Sequence, residues 1–120
     1  MFKEETVKPK YDLLDRTFDF AKRTRAFIKS LPKTIVNLDD AKQVLRSSGS
    51  VGANYIEACE ALSKKDFSMR IKICRKEAKE SVYWFRLIEA EGVELEKERK
   101  ALLQESMELT KIFGAIVSKN

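Results

Sequence analysis

The sequence predicts an all-α chain folded as one antiparallel, up-down-up-down four-helix bundle, and three observations carry that reading. Gly and Pro are scarce, at 4 and 2 of 120 residues, too few for strands joined by many turns. Charged residues (36%) and hydrophobic residues (43%) stand in the balance that long amphipathic helices need. Apolar positions repeat by threes and fours over four stretches, roughly 11–31, 39–62, 66–91 and 96–118, with breakers between them. The length fits a single domain over 1–120, and four helices on short links pack most simply as antiparallel neighbours.

The first helix is expected to begin near Tyr11, just after Pro9. It carries Leu14, Phe18, Ala21 and Ile28 on one stripe with Leu13, Phe20, Phe27 and Leu31 beside it, and Pro32 ends it. Asp39 or Asn37 is placed to cap the second helix by accepting a hydrogen bond from a first-turn amide. That helix shows a heptad seam through Val44, Ser48, Val51, Tyr55, Ala58 and Leu62. Its middle, Ser47 to Ala53, holds Gly49 and Gly52, each costing about 1 kcal/mol relative to Ala in a helix interior. The seam stays in phase through it, so the segment reads as helix, with small side chains admitting a neighbouring backbone.

Ser63 or Asp66 caps the third helix, where Phe67, Ile71, Cys74, Ala78, Ser81, Phe85 and Ile88 repeat at seam spacing until Gly92. The fourth turns Leu102, Leu109, Phe113 and Ile116 inward, with Leu103, Ile112 and Val117 widening the stripe. Helices one and four carry more apolar surface than a two-residue seam buries, which fits either a wide core face or contact with another subunit.

The formal charge of +5 is unevenly spread. Between Ala21 and Lys33 lie Lys22, Arg23, Arg25, Lys29 and Lys33 and no acid. Lys64 to Lys79 holds Lys64, Lys65, Arg70, Lys72, Arg75, Lys76 and Lys79 against Asp66 and Glu77. Arg86 to Glu108 is acidic, with glutamates at 89, 91, 94, 96, 98, 105 and 108. Such basic runs are either a solvated face or a track for phosphates. The candidate contacts to nucleic acid are Lys22, Arg23, Arg25, Lys29, Arg70, Lys72, Arg75 and Lys79.

No catalytic or metal centre is legible. The chain has no histidine, so the Glu-x-x-His pairs of a di-iron bundle are missing although Glu57/Glu60 and Glu77/Glu80 have the spacing of one helical face. Two cysteines and no histidine do not complete a zinc site unless carboxylates or a second chain contribute, and no Ser or Cys has a His base. Cys59 and Cys74 read as small hydrophobes in a reducing compartment rather than as a disulfide. Arg46, Asn54, Glu57, Lys76, Glu77 and Glu80 read as a polar network that fixes helix register. The aromatic run Tyr83-Trp84-Phe85 reads as core rather than as a stacking platform for bases. No apolar run is long enough for a signal peptide or membrane span, so the expectation is a cytoplasmic, non-enzymatic protein without a cofactor.

The run Arg46-Ser47-Ser48-Gly49-Ser50-Val51-Gly52-Ala53-Asn54-Tyr55-Ile56-Glu57-Ala58, followed by Asp66-Phe67 and by Lys76-Glu77-Ala78-Lys79-Glu80-Ser81-Val82-Tyr83-Trp84, resembles one family. It is the four-helix-bundle family encoded in intervening sequences of bacterial 23S ribosomal RNA genes. That family is similar in turn to the accessory protein of diversity-generating retroelements, a barrel-shaped homopentamer that partners a reverse transcriptase and binds nucleic acid. The resemblance therefore implies a ring-shaped homopentamer, contact with RNA or DNA and a protein partner of reverse-transcriptase type; it implies no activity and carries over no catalytic residues. A heterologous interface closing on itself would use spare apolar surface on the outer helices.

Two function classes follow. The first is an oligomeric helical bundle that binds RNA or DNA through its basic surfaces. The second is a self-assembly or protein-interaction scaffold in which the basic residues only aid solubility.

Overall fold

The computed structural model describes residues 12–119, and within them the chain forms four helices: α1 (Leu13–Lys29), α2 (Ile35–Cys59), α3 (Lys64–Leu87) and α4 (Val93–Lys119). The start expected at Tyr11 lies outside the described residues. Each helix packs on its sequence neighbours and α1 returns against α4, giving an up-down-up-down bundle of 46 by 31 by 18 Å. The helix pairs α1/α3 and α2/α4 are diagonal.

The boundaries follow from local chemistry. Asp12 caps α1, accepting from the Asp15 amide at 3.0 Å. Thr34 caps α2, accepting from the Asn37 amide at 3.2 Å. Helix α2 thus starts at Ile35, four residues earlier than the sequence reading placed it, and its cap is neither Asp39 nor Asn37. Asn37 instead is buried and joins three segments: its amide donates to the Glu89 and Pro32 carbonyls, and its oxygen accepts from the Glu89 amide at 3.0 Å. Ser63, not Asp66, caps α3. Helix α3 ends at Leu87, short of Gly92, because Ile88 turns extended at ψ 136°. Gly92 stands just before α4 at φ 92°, where a Cβ would be strained, and its carbonyl accepts from the Glu96 amide.

The α3 seam buries as read: Ile71, Cys74, Ala78, Ser81 and Phe85 are fully enclosed, and Ile88 is 3% exposed. Phe85 sits at the centre, with the Phe20 and Phe27 rings 6.3 and 6.1 Å away. On α2, Val44, Ser48, Val51 and Ala58 are buried, but the helix ends at Cys59, so Leu62 is 99% exposed in the following loop. On α4, Leu102, Leu109 and Phe113 are enclosed, and Phe113 packs on Tyr55 at 5.7 Å.

Helix α1 departs from the sequence reading. Its core stripe is Thr17, Phe20, Thr24, Phe27, followed by Leu31, whereas Leu14 and Phe18 are 42% and 62% exposed. Two threonines occupy core positions because each hydroxyl donates to a carbonyl one turn back, Thr17 to Leu13 at 2.7 Å and Thr24 to Phe20 at 2.8 Å. The hydroxyls are thus satisfied without water, and the methyls pack.

Thr17 also explains Gly52. A Cβ on Gly52 would stand 3.0 Å from the Thr17 hydroxyl and 3.2 Å from its Cβ, so α1 crosses α2 at contact distance there. A Cβ on Gly49 would meet only the Arg25 guanidinium at 3.9 Å. Gly52→Ala is therefore expected to destabilise, its overpacking cost of about 1–3 kcal/mol outweighing the better propensity. Gly49→Ala is expected to stabilise by up to about 1 kcal/mol. Urea melts of the two variants check this, and equal shifts would contradict the close crossing.

The two cysteines are free, Cys59 exposed and Cys74 buried. The apolar setting read for Cys59 holds only for Cys74, whose thiol burial pushes up to about 12. Iodoacetamide at mildly alkaline pH should alkylate Cys59 alone, and mass spectrometry should find the second adduct only after denaturation. Two native adducts would contradict this packing.

Candidate nucleic-acid interface

The candidate cations divide between two diagonal helices and do not form one surface. On α1, Lys22, Arg25 and Lys29 are exposed, Lys22 with its ammonium 5.9 Å from the Phe18 ring centre. Arg23 turns to the other flank and pairs with Glu98 of α4 at 3.2 Å. Two turns away Arg16 holds Glu105 at 2.7 Å and Glu108 at 2.8 Å, and these hydrogen bonds raise the guanidinium pKa further. The α1/α4 seam is thus a row of arginine–glutamate pairs, which consumes much of the acidic surface read from the sequence.

At the far end of α4, Arg99 grips Glu96 through two hydrogen bonds and donates to the Phe85 carbonyl at 2.9 Å. Arg99 holds the Glu96 carboxyl below the usual carboxylate range. A cation on the last turn of α3 is favoured by the helix dipole.

On α3 the candidates separate. Arg70 leans onto α2, donating to the Asn54 side-chain oxygen at 3.1 Å. Arg75 lies along α4, with its Nε 3.6 Å from where a Cβ on Gly114 would sit. Lys72 and Lys79 point outward, exposed. They belong to a row at the same alternating spacing as the core seam but on the opposite side of the helix: Lys65, Met69, Lys72, Lys76, Lys79, Tyr83 and Arg86, every one exposed. Neither the four lysines nor Arg86 pairs with a carboxylate among the described residues. The row extends about 30 Å at 1.5 Å rise per residue.

Three of these residues, Lys65, Lys76 and Arg86, were not among the nucleic-acid candidates of the sequence reading, although helical periodicity alone aligns them. Lys76 was assigned to the polar network and stands outside it. That network holds Arg46, Glu77 and Glu80. The Arg46 guanidinium bonds Glu80 and lies 3.2 Å from Oε1 of Glu77, out of line for a hydrogen bond. Glu77 is 7% exposed, so the proximity of Arg46 offsets a buried charge. Asn54 serves Arg70 and the Ser50 carbonyl instead, and Glu57 is exposed with no side-chain partner among the described residues. The buried Ser47 and Ser81 hydroxyls bond at 2.7 Å between the same two helices.

The aromatic run also separates. Phe85 is core and Trp84 is half-buried against it, but Tyr83 is 55% exposed, so the core reading does not hold for Tyr83. The Tyr83 ring meets Trp84 edge to face, centroids 4.9 Å apart at 77°.

A groove on the other side of the molecule escaped the sequence reading. It runs between α1 and α2 over a floor of Gly49, Gly52 and Ala53, walled by Leu14, Phe18 and Ile56, and holds about 460 Å³. The apolar surplus thus lies on α1 and α2 more than on α1 and α4. Among the described residues no three His, Cys, Asp or Glu side chains gather to hold a metal ion, and no helix is long and apolar enough to cross a membrane.

The sequence profile for the 23S rRNA-intervening sequence protein matches residues 9–115. No curated protein matches the chain. Among solved structures, a protein of unknown function from the S23 ribosomal protein family of Bacteroides thetaiotaomicron superposes with a TM-score of 0.72 at 28% identity, covering 88% of this chain and 98% of that one. The helical bundle and its small-residue α2 run accord with that match, and the chain belongs to the 23S rRNA-intervening sequence protein family.

Proposed function

We propose that this protein binds nucleic acid along the outer face of α3, without catalysis, through phosphate contacts from Lys65, Lys72, Lys76, Lys79 and Arg86. The observation that carries this reading is the row itself: five exposed cations on one helix face with no carboxylate paired to them among the described residues. Unpaired cations in a row release counterions on meeting phosphates, whereas surface cations already bridged to glutamates have less to gain. The α1 set is weaker in this respect, since Arg23 is engaged with Glu98.

Lysine acetylation footprinting with RNA bound tests the assignment. The expected result is protection of Lys65, Lys72, Lys76 and Lys79, with Lys22 and Lys29 on α1 and Lys97 and Lys111 on α4 remaining reactive. Protection confined to α1, or none, would reject the α3 face.

A second reading concerns self-assembly and rests on the α1/α2 groove, where Phe18 and Ile56 stand 62% and 54% exposed around a glycine floor. A second copy of the chain is its occupant in this reading. In the five-membered ring that the resemblance implies, this face would meet a different face of the next copy. Light scattering should then give a multiple of the chain mass, reduced to one chain by Phe18→Asp. A wild-type monomer at high concentration would remove this reading and leave the α3 reading intact.

A further inference from the structure

We infer that the α3 face takes a single strand and holds it by stacking an unpaired base on Tyr83, an inference that rests on the phosphate reading above. Tyr83 lies in the cation row, four residues after Lys79 and three before Arg86, so its ring is flanked along the helix by groups that hold phosphates. An aromatic ring 55% exposed among cations leaves much of its apolar area in water, and it offers a flat face to a nucleobase. The edge-to-face contact with Trp84 at 4.9 Å steadies that ring. Trp84 is itself fixed by packing on the core, so little ordering is left to do when a base arrives.

The remaining apolar member of the row points the same way. Met69 is 50% exposed at the other end, an unbranched and polarizable side chain that adapts to a flat partner. In a duplex the base faces are covered by their neighbours, and a lone convex helix face would reach only phosphates or a groove. Phosphate contacts, an aromatic platform and an adaptable apolar residue in one line suit unpaired bases, of RNA or of DNA.

Three probes of equal length, about 20 nucleotides, separate the contributions: an oligouridine, an oligothymidine, and an abasic strand that keeps the phosphates and lacks the bases. Binding is followed by anisotropy and by the emission of Trp84, the single tryptophan of the chain. Tyr83→Ala is expected to weaken both base-bearing strands by about 5- to 150-fold. It should leave the abasic strand and the salt dependence unchanged, while Tyr83→Phe keeps wild-type affinity. Oligouridine and oligothymidine binding alike marks the platform as blind to the sugar, and either strand binding alone assigns it to that nucleic acid. Equal affinity of Tyr83→Ala and wild type for both base-bearing strands overturns the inference. So does an equal loss on the abasic strand, which would mark Tyr83 as structural. If wild type binds none of the three, the phosphate reading fails first and the stacking inference with it.

Discussion

Replacing Lys72, Lys76 and Lys79 together by alanine is expected to weaken single-strand binding by about a hundredfold near 0.1 M salt, with the fold unchanged. The size follows from counterion release: each phosphate contact on a single strand contributes about 0.7 to the log–log salt slope, so losing three contacts lowers log K by about 2 at that salt. All three side chains are exposed and make no ion pair with a described residue, so their removal breaks nothing in the bundle. Alanine also has the best helix propensity. Anisotropy titration of wild type and variant, with circular dichroism to compare helix content, checks both halves. A variant that binds as tightly as wild type would place the phosphates elsewhere.

The largest stability effect is expected at Phe85. Its ring is fully buried, touches Phe20 and Phe27 of α1, and lies where the Arg99 guanidinium of α4 reaches its carbonyl. Phe85→Ala removes contacts to α1 that no backbone packing between α1 and α3 replaces, since the two helices are diagonal. A loss of about 3–5 kcal/mol follows from the truncated ring and the cavity it leaves, a large share of the roughly 5–15 kcal/mol that such domains possess. Urea melts measure it. A loss below about 1 kcal/mol would mean that Phe85 is not the centre of the core.

The α3 seam was legible because each of its positions, Ile71, Cys74, Ala78, Ser81, Phe85 and Ile88, is apolar or small and the spacing is unbroken, although Glu77 beside it is also buried. Helix α1 was misread for the reason that makes it pack: Thr17 and Thr24 hold core positions by bonding their own helix's carbonyls, which a count of apolar residues passes over. Phe18 and Leu14 drew the stripe toward the surface, and Leu62 extended the α2 seam past a helix that had already ended. The α3 cation row was readable and was missed because charges were grouped along the chain rather than around the helix. The α1/α2 groove was not readable at all, since it depends on how closely Gly52 lets α1 approach.

Acid should act on the bundle with mixed sign. Arg99 lowers the Glu96 carboxyl, and Gln104 followed by Arg16 lowers that of Glu108, so both contribute stability that is present above the ordinary carboxylate range and is lost as pH falls from that range through their lowered values. Asp40 is raised by burial and by Asp39 and Glu89, so its protonation relieves the fold in the same range. Glu96→Gln should flatten acid denaturation, and Asp40→Asn should steepen it, in thermal melts across that range.

The most direct test of the central claim is the salt dependence of wild-type binding to an unstructured single strand. Five contacts from Lys65, Lys72, Lys76, Lys79 and Arg86 predict a log–log slope of about −3.5. A slope near zero, or no binding at low salt, would contradict phosphate recognition by α3.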